Sequence, residues 1–126
     1  APVARPIGHL NDLTPGRAVP FLWPDEASPA LLIRLGRGAA GGVGPDRDVV
    51  AFSALCTHQG CPVQFENGRF LCPCHYSQFD PCLGGQCYQG PATECLPQIR
   101  LRLDADGALY VEGCDGLIWG RLETPR

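Results

Sequence analysis

The sequence predicts an all-β fold of short antiparallel strands. The 126 residues include 16 glycines and 13 prolines, which favour turns and interrupt helices. No segment shows a sustained 3.6-residue repeat of apolar positions, whereas several short apolar runs are bounded by turn residues. The length is that of one domain, so we predict a single β domain over residues 1–126.

The elements can be placed in order along the first half of the chain. Residues 1–24 carry repeated prolines, so they supply at most short strands such as 18–22. Residues 29–36 and 48–55 are rich in apolar and β-branched side chains and are predicted to be strands. The glycine-rich stretch 36–44 between them lacks the Lys-Ser/Thr ending of a phosphate-binding loop, so it is predicted to be a connector.

Two hairpins are predicted in the second half. Asn67-Gly68 separates 63–66 from 69–72, and this dipeptide supplies the positive φ angles of a type I′ turn. Apolar residues alternate with polar ones over 99–103 and again at Leu109 and Val111, on either side of the turn residues 104–107. Residues 117–121 are predicted to add a last strand.

The stretch from Cys56 to Gln89 differs from the rest, because it is dense in Cys, His, Gly and Pro. We interpret it as part of a loop-rich subdomain, approximately 55–92, inserted into a β base formed by approximately 1–54 and 93–126. Loops carried on a rigid base are where functional residues are expected.

Charge and hydropathy exclude some function classes. Ten Lys and Arg against 13 Asp and Glu give a net charge of −3, which argues against a nucleic-acid partner. No apolar run approaches the ~20 residues of a membrane-spanning helix, so no membrane span is expected in this chain. The sequence begins Ala-Pro without a targeting pattern, from which we expect a mature, exported chain. Its eight cysteines require disulfides or a metal centre.

Two short motifs carry the chemistry, Cys-Thr-His-Gln-Gly-Cys at 56–61 and Cys-Pro-Cys-His-Tyr-Ser at 72–77. Together they offer two thiolates and two imidazoles, and each contains a spare cysteine that can join the loops. Zinc accepts such a set, but zinc fingers group a Cys pair and then a His pair at other spacings. A binuclear iron site, with Cys on one iron and His on the other, fits the alternation better. Visible absorption separates the two possibilities, since zinc is colourless.

Both motifs resemble those of disulfide-containing Rieske proteins. The resemblance implies a Rieske fold with a 2Fe-2S cluster held by Cys56, His58, Cys72 and His75. It further implies a disulfide that ties the loops and a serine hydroxyl that donates to the cluster sulfur. Cys61 and Cys74 stand in the positions of the disulfide, and Ser77 stands in the position of the serine.

Two other residues near the motifs are expected to influence the cluster. Backbone N–H groups around Gly60 can donate to cluster sulfur atoms and raise the reduction potential. Phe79 stands where high-potential Rieske proteins of cytochrome bc complexes have a tyrosine that donates to a cysteine ligand. We therefore expect the potential to be lower than with tyrosine, within the upper part of the range of about −150 to +300 mV.

A more specific resemblance covers most of the chain, which looks like the small subunit of arsenite oxidase. The matching segments are 21–25, 27–29, 41–45, 48–52, 79–80, 92–94, 96–97 and 115–121. The resemblance implies a heterodimer with a large molybdopterin subunit that carries a 3Fe-4S cluster. In that family electrons leave arsenite at molybdenum and pass through the Rieske centre to a periplasmic cytochrome c or cupredoxin. A periplasmic location reached in the folded state by the twin-arginine route is expected.

Other functions remain open from the sequence. The related iodate reductases use a similar pair of subunits in the opposite redox direction. A Rieske protein of a cytochrome bc complex needs a membrane anchor, which these residues lack unless the chain was trimmed. A ferredoxin that feeds a dioxygenase usually lacks the cysteine pair at 61 and 74.

Four cysteines lie outside the motifs, and no histidine accompanies them, so disulfides are favoured over a second metal site. Cys82 with Cys87 is predicted to close a short loop through Gly84-Gly85. Cys95 with Cys114 is predicted to tie the segment after the motifs to the last hairpin.

Overall fold

The computed structural model describes residues 6–57, 60–73, 77–90, 95–116 and 118–119. Strands and two short 3₁₀ helices, Leu10–Asp12 and Pro81–Leu83, make up the regular structure of these residues, and none of it is α-helical. The all-β prediction is therefore confirmed. Within the same ranges, no helix has the length and apolar character needed to cross a bilayer.

The described strands form two antiparallel sheets. One sheet has six strands in the order β1-β10-β9-β4-β3-β2, and the other has four in the order β5-β6-β7-β8. In chain order the strands are β1 Gly8–His9, β2 Ala18–Leu22, β3 Pro29–Arg34, β4 Val49–Ser53, β5 Gln64–Glu66, β6 Arg69–Leu71, β7 Gln78–Asp80, β8 Gln86–Gln89, β9 Gln98–Leu103 and β10 Ala108–Asp115.

Most of the strand predictions hold. β2, β3 and β4 lie within the predicted segments, and both predicted hairpins form, as β5–β6 and β9–β10. At the first hairpin turn Asn67 has φ 52° and Gly68 has φ 79°, so both central residues have the positive φ that was predicted. The short strands β1, β7 and β8 were not predicted. Of the predicted last strand, only Ile118 and Trp119 are described, and neither is in a strand.

The strand β4 is central to the fold because both of its faces are buried. Alternate side chains of a strand point to opposite faces, and here they divide between two cores. Val50 and Phe52 belong to the core shared with the four-stranded sheet, whereas Val49 and Ala51 belong to the core of the six-stranded sheet. This explains why the segment is a continuous apolar run in the sequence.

Aromatic contacts join the two sheets. The ring of Phe52 on β4 meets the ring of Phe70 on β6 edge-on, with centroids 5.1 Å apart. Phe65 on β5 makes a similar contact with Phe70 at 5.3 Å. Phe70 therefore lies at the junction of the sheets and is fully buried.

The four cysteines outside the motifs carry free thiols, so the predicted pairs Cys82–Cys87 and Cys95–Cys114 are not formed in the structure. The Cys87 thiol donates to the Gln89 carbonyl 3.3 Å away, along its own strand. Cys114 is fully buried, whereas Cys95 is exposed. Closeness in the chain does not by itself orient two Cβ atoms for a disulfide, and Cys95 and Cys114 differ in burial.

Replacement of Phe70 by alanine is expected to destabilise the protein by about 3–5 kcal/mol, because it leaves a cavity where the two sheets meet. Chemical denaturation followed by circular dichroism measures the loss. Phe65→Ala is the matched control, since Phe65 is only partly buried and should cost less. A loss for Phe70→Ala no greater than for Phe65→Ala would contradict the importance of this junction.

Cys114 is expected to resist alkylation. Burial raises the pKa of its thiol to about 11, with the Asp115 carboxylate adding to the rise and Arg100 opposing it. Because only the thiolate is nucleophilic, the labelling of Cys114 by iodoacetamide should stay slow until the pH approaches about 11.

Exposed Cys95 is the internal comparison and should be labelled first in the folded protein. Mass spectrometry of a non-reduced digest reads both positions. A peptide linked through Cys95 and Cys114 would contradict the absence of a disulfide between them. Labelling of Cys114 as rapid as that of Cys95 would contradict its burial.

Candidate metal centre

The first motif follows β4, which ends at Ser53. An isolated bridge between Leu55 and Pro62 closes the base of the motif loop. Within the loop, the Cys56 N–H donates to the Cys61 carbonyl, and the Gly60 N–H donates to the Cys56 carbonyl, both at 2.8 Å. Gly60 has φ 75°, which favours glycine and allows this tight return of the chain. The backbone of Cys56 is thus held at both its N–H and its carbonyl.

The second motif is closed in a similar way. Cys72 follows β6, and its N–H donates to the Ser77 carbonyl at 2.9 Å, directly before β7 begins at Gln78. The partner strands β6 and β7 therefore hold the two ends of this loop together. In both motifs the first cysteine stands at the base of a loop, with its backbone N–H bonded to the residue that closes it.

Cys56 and Cys72 share one buried environment. Neither forms a disulfide, and each has at most 1% of its surface exposed. They belong to the same apolar core, which also contains the rings of Phe52, Phe70 and Phe79. Two unoxidised thiols in a dry core fit thiolate ligation of a metal, since such a site excludes solvent from the metal-sulfur bonds.

The other predicted ligands, His58 and His75, lie outside the described residues, as does Cys74. Within the described ranges no three His, Cys, Asp or Glu side chains come together as a metal site, and only two of the four predicted ligands fall in those ranges. Cys61 is disulfide-bonded. Its pairing with Cys74 stays a prediction.

Ser77 and Phe79 occupy distinct positions near the second loop. Ser77 is fully buried. A Cβ at Gly90 would lie 2.7 Å from the Ser77 Oγ and 2.4 Å from its Cα, so only glycine permits this contact. Phe79 is also fully buried, opposite Phe70 in the β6–β7 register, and its ring packs in the core.

Two contacts at the loops were not anticipated from the sequence. One is the approach of Gly90 to Ser77, and the other is the approach of Trp119 to Gly60. Gly60 lies inside the first motif, but nothing in the sequence indicated which distant residue would approach Gly60 or Gly90.

Residues 6–100 match the family described as the Rieske [2Fe-2S] domain. The chain is 41% identical over 122 residues to the iodate reductase subunit IdrB of Denitromonas iodatirespirans, covering 90% of this chain and 64% of that protein. It is 44% identical over 69 residues to the cytochrome bc1 complex Rieske iron-sulfur subunit of Corynebacterium efficiens, covering 52% of this chain and 17% of that protein. The chain thus spans less than two thirds of the length of these relatives.

Solved structures share the fold. The soluble domain of Rieske protein II (soxF) from Sulfolobus acidocaldarius superposes with a TM-score of 0.74 at 23% identity, over 86% of this chain and 74% of that one. The plasma membrane Rieske protein PetC3 from Synechocystis gives 0.66 at 25% identity, over 86% and 98%. The family match, the two buried thiols and the shared fold agree: the chain belongs to the Rieske family and binds a 2Fe-2S cluster of that type.

Proposed function

We propose that this protein is the electron-transfer subunit of a molybdenum oxidoreductase of the arsenite oxidase and iodate reductase type. The observation that carries the proposal is the extent of similarity to the iodate reductase subunit, 41% identity over 90% of this chain. The match to the cytochrome bc1 subunit covers only 52% of the chain. The segments that resemble the small subunit of arsenite oxidase support the same class of complex.

In this proposal the chain serves to carry single electrons between the large subunit and a soluble carrier. Cys56 and Cys72 would hold one iron through thiolates, and His58 and His75 would hold the other through imidazoles. A bound cluster would supply one-electron chemistry, and neutral imidazoles would place less negative charge on their iron than thiolates do, which would favour reduction on the histidine side. The burial of both cysteines supports this division, because it leaves the thiolate side away from solvent.

The neighbouring residues of the chain adjust the cluster. The backbone hydrogen bonds that close both loops fix the backbone of the two cysteines. Ser77 is proposed to donate its hydroxyl hydrogen to a cluster sulfur, which favours the more negative reduced state. Its burial and its contact with Gly90 support a fixed position for the hydroxyl.

The partners and location follow from the same class of complex. We propose a large molybdopterin subunit with a 3Fe-4S cluster as the stable partner and a cytochrome c or cupredoxin as the soluble one. A periplasmic location is supported by the disulfide at Cys61, since disulfides persist in oxidising compartments. Export by the twin-arginine route would deliver the protein folded, with its cluster already inserted.

The test of this function is purification of the native complex. The large subunit is identified by mass spectrometry, and molybdenum and iron are quantified. Two assays then measure arsenite oxidation with an oxidised carrier and iodate reduction with a reduced carrier. We expect a molybdenum-containing partner and one of the two activities. A Rieske protein that purifies without a molybdenum subunit, or a complex inactive in both assays, would contradict the proposal.

Replacement of a predicted histidine ligand is expected to remove the Rieske spectrum. His75→Ala eliminates one imidazole, so the electron paramagnetic resonance signal of the reduced cluster should be lost. His9→Ala is the matched control, because the His9 ring bonds to the Asp106 carbonyl outside both motifs. An unchanged signal in His75→Ala would show that His75 is not a ligand, whatever the partner of the complex.

A further inference from the structure

The side chain of Trp119 lies directly on the first cluster loop. A Cβ built on Gly60 would come within 2.3, 2.4 and 2.5 Å of the Trp119 atoms Cε3, Cδ2 and Cζ3. All three atoms belong to the six-membered ring of the indole, so this ring covers the Cα of Gly60. No side chain at position 60 fits while the indole is in place.

Gly60 is a structural part of the loop that carries a cluster ligand. Its N–H donates to the carbonyl of Cys56, and its neighbour Cys61 accepts from the N–H of Cys56. Cys61 is also disulfide-bonded. A side chain that restrains Gly60 therefore restrains the backbone of Cys56 through two hydrogen bonds.

The position of Trp119 is set by its neighbour in the chain. Its neighbour Ile118 is fully buried in the core of the six-stranded sheet. Trp119 itself remains 45% exposed. Because Ile118 is buried in the core, it holds the chain in place beside Trp119. The half-exposed indole of Trp119 then lies over the loop that contains Gly60, which is distant in the sequence.

We propose that Trp119 is a positioning residue for the Rieske cluster, holding Gly60 and the Cys56 loop in place and keeping water from that side of the loop. The proposal depends on the family's cluster and not on the large subunit proposed above. Loss of the indole loosens the loop and admits water. Residues around metal ligands commonly influence metal retention by about 10- to 100-fold.

The contact is tested first by a suppression experiment on the holoprotein. Gly60→Ala introduces a methyl group that overlaps the indole, so loss of the cluster, followed by visible absorbance with an iron chelator present, should accelerate by about tenfold or more. Adding Trp119→Ala should slow that loss again, because the methyl group then has room. If the double variant loses the cluster as fast as Gly60→Ala, or faster, the proposed contact is wrong.

Gly68→Ala is the matched control for backbone strain. Gly68 has φ 79°, close to the 75° of Gly60, but a Cβ there meets no atom within 4 Å. Gly68→Ala therefore imposes the same kind of backbone strain without an overlap between the methyl group and a side chain. If Gly68→Ala and Gly60→Ala lose the cluster at the same rate, the indole contact has no special effect and the proposal fails.

The second readout is the reduction potential. Reduction adds negative charge to the cluster, and water stabilises that charge better than an indole does, so Trp119→Ala should raise the midpoint potential. Trp119→Phe keeps an aromatic ring over the loop and should lie closer to the unsubstituted protein. Trp23→Ala, at the other tryptophan, should leave the potential unchanged. An unchanged or lowered potential in folded, fully loaded Trp119→Ala would overturn the proposal.

Discussion

The burial of Cys56 and Cys72 in one apolar core is the constraint on which the rest of this structure depends. An isolated loop could present two thiols, but it could not exclude water from them. Here the core is made where the two sheets meet, and Phe52 and Phe70 contact each other across that junction. The same side chains therefore join the two sheets and surround the two cysteines.

Loop closure is the second requirement, because buried ligands must also be held in fixed positions. Each motif achieves this with main-chain hydrogen bonds at the base of its loop, which fix the backbone of the cysteine. Glycine is needed at Gly60 for the positive φ and at Gly90 for the close approach to Ser77. The loops are thus formed by backbone geometry, and side chains at these two positions would obstruct it.

The cysteines show how strongly environment determines the behaviour of one residue type. Cys56 and Cys72 are buried beside the loops, Cys61 is oxidised, and Cys95 is exposed. Cys114 is buried beside the Asp115 carboxylate, and both influences favour its neutral thiol. Eight cysteines in one short chain therefore do not form a single disulfide framework. Their burial and their neighbours in the fold decide which can bind metal or react.

Local signals in the sequence were sufficient for several parts of this protein. Turn chemistry at Asn67-Gly68 and the alternation over 99–103 each act within a few residues, so the hairpins were predictable. The cluster motifs were also recognisable, since their chemistry depends on residue types at short spacing. The very short strands β7 and β8 lacked such a signal, because three or four residues seldom show a period.

The long-range contacts were decided only by the tertiary structure. The sequence alone predicted an all-β fold, both hairpins and the residues of a Rieske centre. It did not indicate that Trp119 would cover Gly60, or that Cys95 and Cys114 would not form a disulfide. Those outcomes depend on how the sheets pack and on the directions in which distant side chains point. Spacing along the chain does not specify the directions of side chains in space. For that reason these contacts were decided only in the folded molecule.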